Sequence, residues 1–142
     1  TVYLGFSDGY LVAINRARGT LIWEKSINQN KKFRDVDASP VIEGNRIFIG
    51  SYDSGLYCLD RESGRTLWKI DQGAHSAVTL AGRELYFSSS NGFVYALDKA
   101  SGKRLWSREL KGLGTQPRLY KGLVLVGESE GNLWPSMGKR DR

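Results

Sequence analysis

The chain has 142 residues, 40% apolar and 25% charged, the balance of a globular domain rather than of a disordered or fibrous chain. No apolar run approaches the ~20 residues a transmembrane helix needs, which excludes that class. The formal charge is +6 and there is one cysteine. An intrachain disulfide is thereby excluded. Lys and Arg fall mostly in turns rather than along one stripe, which reads as solvated charge and not as a nucleic-acid patch.

The predicted elements follow one another as short strands. "TVYLGFS" comes first, with neither the basic residues nor the apolar core of a signal peptide. "GYLVAIN", the turn "RARGT" and a returning "TLIWEK" follow. After a long connection, "NQNKKFRDVDASPV", the hairpin "SPVIEGNRIFIGS" pivots on Gly44 and leads to "GLYCLD", "RESGR" and "TLWKI". The same order returns as "AVTLAGRELYFSSS" on Gly82, "GFVYALD", "KASGK" and "RLWSREL". It begins once more as "PRLYKGLVLVGES" on Gly122 and "GNLW". These runs are rich in Val, Tyr, Phe and Leu and are bounded by turn residues, the pattern of strands. No stretch sustains a helical period with caps, so the chain is all-β.

One frame recurs, [Asp/Asn]-x3-Gly-x3-Trp. It occurs as Asn15, Gly19, Trp23, as Asp60, Gly64, Trp68, and as Asp98, Gly102, Trp106, at spacings of 45 and 38 residues. A period near ~40–45 residues with four strands each is that of a β-propeller blade. The expected architecture is a β-propeller of four-stranded antiparallel blades. Its parts are a partial blade over 1–27, whole blades over 39–70 and 76–110, and a partial blade over 115–134. That makes about 3.5 blades of an incomplete ring, with an irregular or disordered tail over 135–142. Open sheet edges are usually covered, so the array is expected either to be part of a larger ring or to self-associate and complete one. Trp23, Trp68 and Trp106 are expected to dock blade to blade, with Gly19, Gly64 and Gly102 permitting the turns that deliver them.

The inventory for chemistry is thin. His75 is the only histidine, and no G-x-S-x-G pattern accompanies it. One His and one Cys do not build the familiar zinc sites. "DRESG" and "DKASG" lack the spacing of a calcium loop, and no phosphate-cradling glycine motif is present. The expectation is a protein that is not an enzyme, with no catalytic residue, metal or cofactor. Cys58, between Tyr57 and Leu59 in a strand, reads as a small buried hydrophobe. The connection over 28–41 breaks the rhythm, with Lys31, Lys32 and Arg34 before Asp35 and Asp37. Two readings stand side by side there: a turn leading into a strand, or a charged rim loop that docks a partner.

The phrase "NGFVYALDKASGKRLW", with Ala96, Leu97, Asp98, Gly102 and Trp106, resembles the repeat of the pyrroloquinoline-quinone (PQQ)-type propellers. That class includes quinoprotein dehydrogenases as well as non-enzymatic scaffolds. "FRDVDASPVIEGNRIF" with "VGESEGNLW" resembles, more narrowly, the BamB family of outer-membrane β-barrel assembly lipoproteins. In this sequence Arg34 directly precedes Asp35, and Glu128 stands where the family has Asp. The resemblance implies an eight-bladed ring at the periplasmic side of the bacterial outer membrane, binding the POTRA domains of BamA. It implies membrane contact only through a lipid anchor, with no such anchor expected on this chain; from the scattered charge, nucleic acid is not expected as a partner either. Asp35 and Asp37, with Arg34 beside them, are the partner-binding residues so implied. The alternatives are a PQQ-like interaction module with another partner, or a fragment of a quinoprotein dehydrogenase.

Overall fold

Runs of three to six residues that alternate sides, closed by glycine turns, fold this sequence into strands. The computed structural model describes residues 1–5, 10–26, 39–51, 55–128 and 133–137. The first blade is β1 (Val2–Gly5), β2 (Tyr10–Ile14) and β3 (Leu21–Ser26). The second is β4 (Val41–Glu43), β5 (Arg46–Ser51), β6 (Gly55–Asp60) and β7 (Thr66–Ile70). The third is β8 (Thr79–Ala81), β9 (Glu84–Ser88), β10 (Phe93–Asp98) and β11 (Arg104–Glu109). The fourth is β12 (Arg118–Tyr120), β13 (Leu123–Gly127) and β14 (Leu133–Met137). Among the described residues these strands form four separate antiparallel sheets of three, four, four and three strands, each in chain order. The fold is an open array of propeller blades.

The last blade departs from expectation. The sequence reading ends it at residue 134 and assigns 135–142 to an irregular tail. Instead β14 runs across Pro135 to Met137, with Met137 opposite Leu123 and Pro135 opposite Leu125. Among the described residues β14 pairs with β13 alone, and an edge strand tolerates proline because one of its sides makes no ladder bonds.

Alternation along the inner strands makes three apolar seams. Ile47 and Ile49 of β5, with Tyr57 and Leu59 of β6, meet Leu11, Tyr3 and Trp23 of the first blade. The intervening residues Phe48, Leu56 and Cys58 face the third blade, where Leu85, Phe87, Tyr95 and Leu97 receive them. Tyr86, Val94 and Ala96 point the opposite way, onto Val124 and Val126 of the fourth. A period of two thus gives each blade a face for each neighbour. Cys58 is fully buried in the middle seam. Burial raises its thiol pKa, with the Arg46 guanidinium opposing that shift.

The tryptophans tie successive blades together. Trp23 donates its indole N–H to the Arg61 carbonyl at 3.1 Å, and Trp68 donates to that of Lys99 at 3.0 Å. Each ring lies flat on the glycine of the turn it reaches. A Cβ on Gly64 would stand 2.7 Å from the Trp23 ring, and one on Gly102 would stand 2.7 Å from Trp68. Both glycines also hold positive φ, 77° and 78°, so the turn and the close approach each require them. On the other side each ring meets an aromatic or equivalent residue of its own blade: Tyr3 at 5.9 Å, Phe48 at 6.1 Å and, for Trp106, Tyr86 at 6.0 Å. Gly19 holds the same backbone conformation at 72° with nothing against it within 4 Å.

A bulge aims these rings. Register shifts lie between Ala13 and Ile14, between Cys58 and Leu59 and between Ala96 and Leu97. The unpaired residues are Ile22, Leu67 and Leu105, which immediately precede the tryptophans and stand 46%, 41% and 50% exposed. The extra residue re-aims the strand so that the next side chain enters the seam.

Candidate partner-docking face

The blades have two unlike ends. At one lie the hairpins between β2 and β3, β4 and β5, β6 and β7, β8 and β9, β10 and β11, and β12 and β13. There Asp60 accepts hydrogen bonds from the Ser63 amide, the Ser63 hydroxyl and Asn45 Nδ2. Those bonds, with Ser63 foremost, hold its carboxyl below the usual carboxylate value. Arg61 donates to the Tyr3 hydroxyl and the Gly44 carbonyl, and Lys99 pairs with Glu43 of the preceding blade. This end is occupied with holding blades in register.

At the other end each blade hands the chain to the next. β3 ends and β4 begins here, as do β7 and β8, and β11 and β12. Arg34, Asp35 and Asp37 belong to the first of these three connections and lie outside the described residues. The second connection is sewn to both of its blades. The Ala74 amide donates to the Ser51 carbonyl at 3.1 Å, and the His75 amide to that of Ser88 at 2.8 Å. The Ser76 hydroxyl accepts from the Ser88 amide at 3.1 Å. His75 itself is exposed.

The third connection repeats this stitching. The Leu110 amide donates to Gly92 O and the Thr115 amide to Gly127 O, both at 2.8 Å. The Thr115 hydroxyl accepts from the Gly127 amide, and Gln116 Nε2 donates to Val78 O. Gly114 is pressed against Leu110, Ser88 and Val126, where a Cβ would come within 2.7–2.8 Å of each. Between the second and third connections a cleft of about 360 Å³ opens, lined by His75, Ser76, Leu113, Thr115 and Glu128. Glu128 is 6% exposed, and its Oε1 accepts from the Lys111 amide. In the sequence Glu128 stands out only as a departure from the family motif. The available signal was that the equivalent positions of the two preceding blades are Ser51 and Ser89.

These features define a class: a β-propeller array with a stitched turn end and a connection end carrying loops and a cleft. The family model for outer membrane protein assembly factor BamB matches residues 1–108. The chain belongs to that family. The BamB of Escherichia coli (strain K12) is 33% identical over 138 residues, which are 92% of this chain and 35% of that protein. The BamB of Aliivibrio fischeri is 35% identical over 74 residues, 48% of this chain and 19% of that protein. Among solved structures, BamB from Moraxella catarrhalis shares the fold at a TM-score of 0.82 with 20% identity, covering 99% of this chain and 45% of that one. A quinohemoprotein alcohol dehydrogenase from Pseudomonas putida HK5 is more distant, at 0.63 and 22% over 72% of this chain. The chain therefore spans about a third, or less, of the length of these curated relatives.

Proposed function

We propose that this chain acts as a non-catalytic scaffold in outer-membrane protein assembly, docking its partner through the connection end of its blades. The observation that carries this reading is the family match, which runs through the connection holding Arg34, Asp35 and Asp37. The turn end is committed to blade-to-blade bonds, whereas the connections carry sequence that the repeat does not dictate. Loops on a rigid scaffold are where recognition concentrates. The proposed partner is a BamA-like POTRA domain at the periplasmic side of the outer membrane, with Asp35 and Asp37 as its acidic contacts and Arg34 beside them.

The test is equilibrium binding of purified POTRA domains to the protein, alongside the double variant Asp35→Ala, Asp37→Ala. The expected result is at least tenfold weaker binding by the variant. Tight binding that the double variant leaves intact would remove these residues from the site. No binding by the folded full-length protein would remove the function. Rim charges act mainly on association, so the wild-type on-rate should also fall with added salt.

A second partner follows from the repeat itself. Val12, Tyr10 and Leu21 lie on the face of the first blade turned away from the second, and Leu123, Leu125 and Tyr120 on the face of the fourth turned away from the third. Tyr10, Leu21 and Tyr120 are 38%, 58% and 57% exposed. In every internal seam such faces pack on one another, so a second copy is proposed to stack its fourth blade on the first. Sedimentation should show concentration-dependent association that Tyr10→Lys with Leu21→Lys weakens; a monomer at all concentrations would end that proposal.

A further inference from the structure

The cleft between the third and fourth blades holds a charge that the repeat does not call for. Ser51, Ser89 and Glu128 occupy one position in three successive blades, at the end of the second strand and before the hairpin. Ser89 closes its own hairpin, accepting from the Phe93 amide at 3.0 Å and donating to the Phe93 carbonyl at 3.1 Å. The fourth blade places a carboxylate there. It is more than nine-tenths buried. Its Oε1 takes the Lys111 amide, but its shielded Oε2 has no hydrogen-bond partner among the described residues. A buried acceptor left unmatched is costly, and more so when charged, which makes it a mark of something bound.

Other polar side chains of the cleft are already engaged. Ser76 Oγ serves the Ser88 amide and the Ala77 carbonyl, Thr115 Oγ1 serves the Gly127 amide, and Gln116 donates to Val78. Leu113 and Gly114 give the cleft an apolar wall. An apolar wall leading to one carboxylate suits a long aliphatic stem with a cationic tip. A neutral polar group would leave the charge unpaired, and an anion would be repelled. A divalent cation wants several oxygen ligands, and no group of three or more ligating side chains is found among the described residues.

We infer that this cleft receives a lysine or arginine side chain of a bound protein. The ammonium or guanidinium pairs with the Glu128 carboxylate, and the methylenes lie along Leu113 and Gly114. The cleft opens at the end of the blades where β3 ends and β4 begins, so the inference rests on the proposed docking face and adds the chemistry of the residue it takes.

The test needs no partner protein. N-acetyl-arginine and N-acetyl-lysine N-methylamides are titrated into the labelled chain and followed by NMR, with the norleucine amide as the uncharged control. Saturable shifts centred on His75, Ser76, Thr115 and Glu128 are expected, at least tenfold weaker for norleucine. In Glu128→Gln the basic and norleucine probes should become equivalent. Should that variant lose its dispersed spectrum, Thr115→Trp, which fills the mouth of the cleft and keeps Glu128, is expected to abolish the shifts. Equal response to norleucine, no saturation, or selectivity that survives both variants overturns the inference. Selective uptake in a protein that fails to bind POTRA domains would uphold the cleft and remove only the docking reading.

Discussion

At the scale of single residues, the tryptophan–glycine contact is the joint of this fold. Trp68 contributes a large apolar surface, a filled donor and a flat seat on Gly102 at once. Trp68→Ala is expected to cost about 3–5 kcal/mol in chemical denaturation, as large aromatic truncations do. Trp68→Phe should lose less. Gly102→Ala should destabilise strongly because its Cβ meets the ring, yet in a Trp68→Ala background only the cost of positive φ, roughly 1 kcal/mol, should remain. A double-mutant cycle reads that coupling directly. Asp60 gives a pH signature at the same turn. Its folded pKa is lowered, so its contribution is present above the ordinary carboxylate value of about 3.9 and is lost as pH falls through the lower, folded one. Melting of wild type and Asp60→Asn compared across pH should differ most above that value and converge in acid. The frame of Asp, Gly and Trp was legible in the sequence because it recurs. That Trp23 seats on Gly64, a residue of the next copy, was not, because the distance along the chain says nothing about which turn lies beneath the ring.

At the scale of elements, period-two alternation made the strands readable, and glycine marked their turns. The bulges were invisible for a physical reason: an extra residue shows only in the pairing of two strands, never in either strand alone. Their effect is testable. Deleting Leu67 closes the bulge while leaving Thr66 opposite Leu59 and Trp68 opposite Cys58, so the strand keeps its register and loses only the local bend and twist that a bulge adds. The deletion is expected to weaken the joint between the second and third blades by tilting the indole off Gly102, seen as a lowered melting temperature. Leu67→Lys should stay within about 0.5 kcal/mol of wild type, since the replaced side chain is exposed. The end of β14 is not legible in the sequence because proline, glycine and net positive charge normally signal irregular chain, whereas a sheet edge forgives proline.

At the scale of the molecule, among the described residues each blade touches only its neighbours, through the three seams. Stability in such arrays is close to a sum of nearest-neighbour terms. Amides of β5, β6, β9 and β10, with a blade on both sides, should therefore exchange slowest, and those of β1 and β12 fastest, in native-state hydrogen exchange. The proposed docking residues Arg34, Asp35 and Asp37 were legible only through family resemblance, since nothing in a loop's composition names its partner. Glu128 was legible only as an acid where sister blades have serine.

The ladder hydrogen bonds run within blades while side chains bridge between them. That division has a mechanical consequence. Pulled from its ends, the array should peel rather than snap, each blade rupturing as its tryptophan leaves the neighbouring turn. With repeats 38–45 residues apart, each event should release on the order of 130–150 Å of chain at ~3.4 Å per residue, and a force trace should show that spacing as a sawtooth.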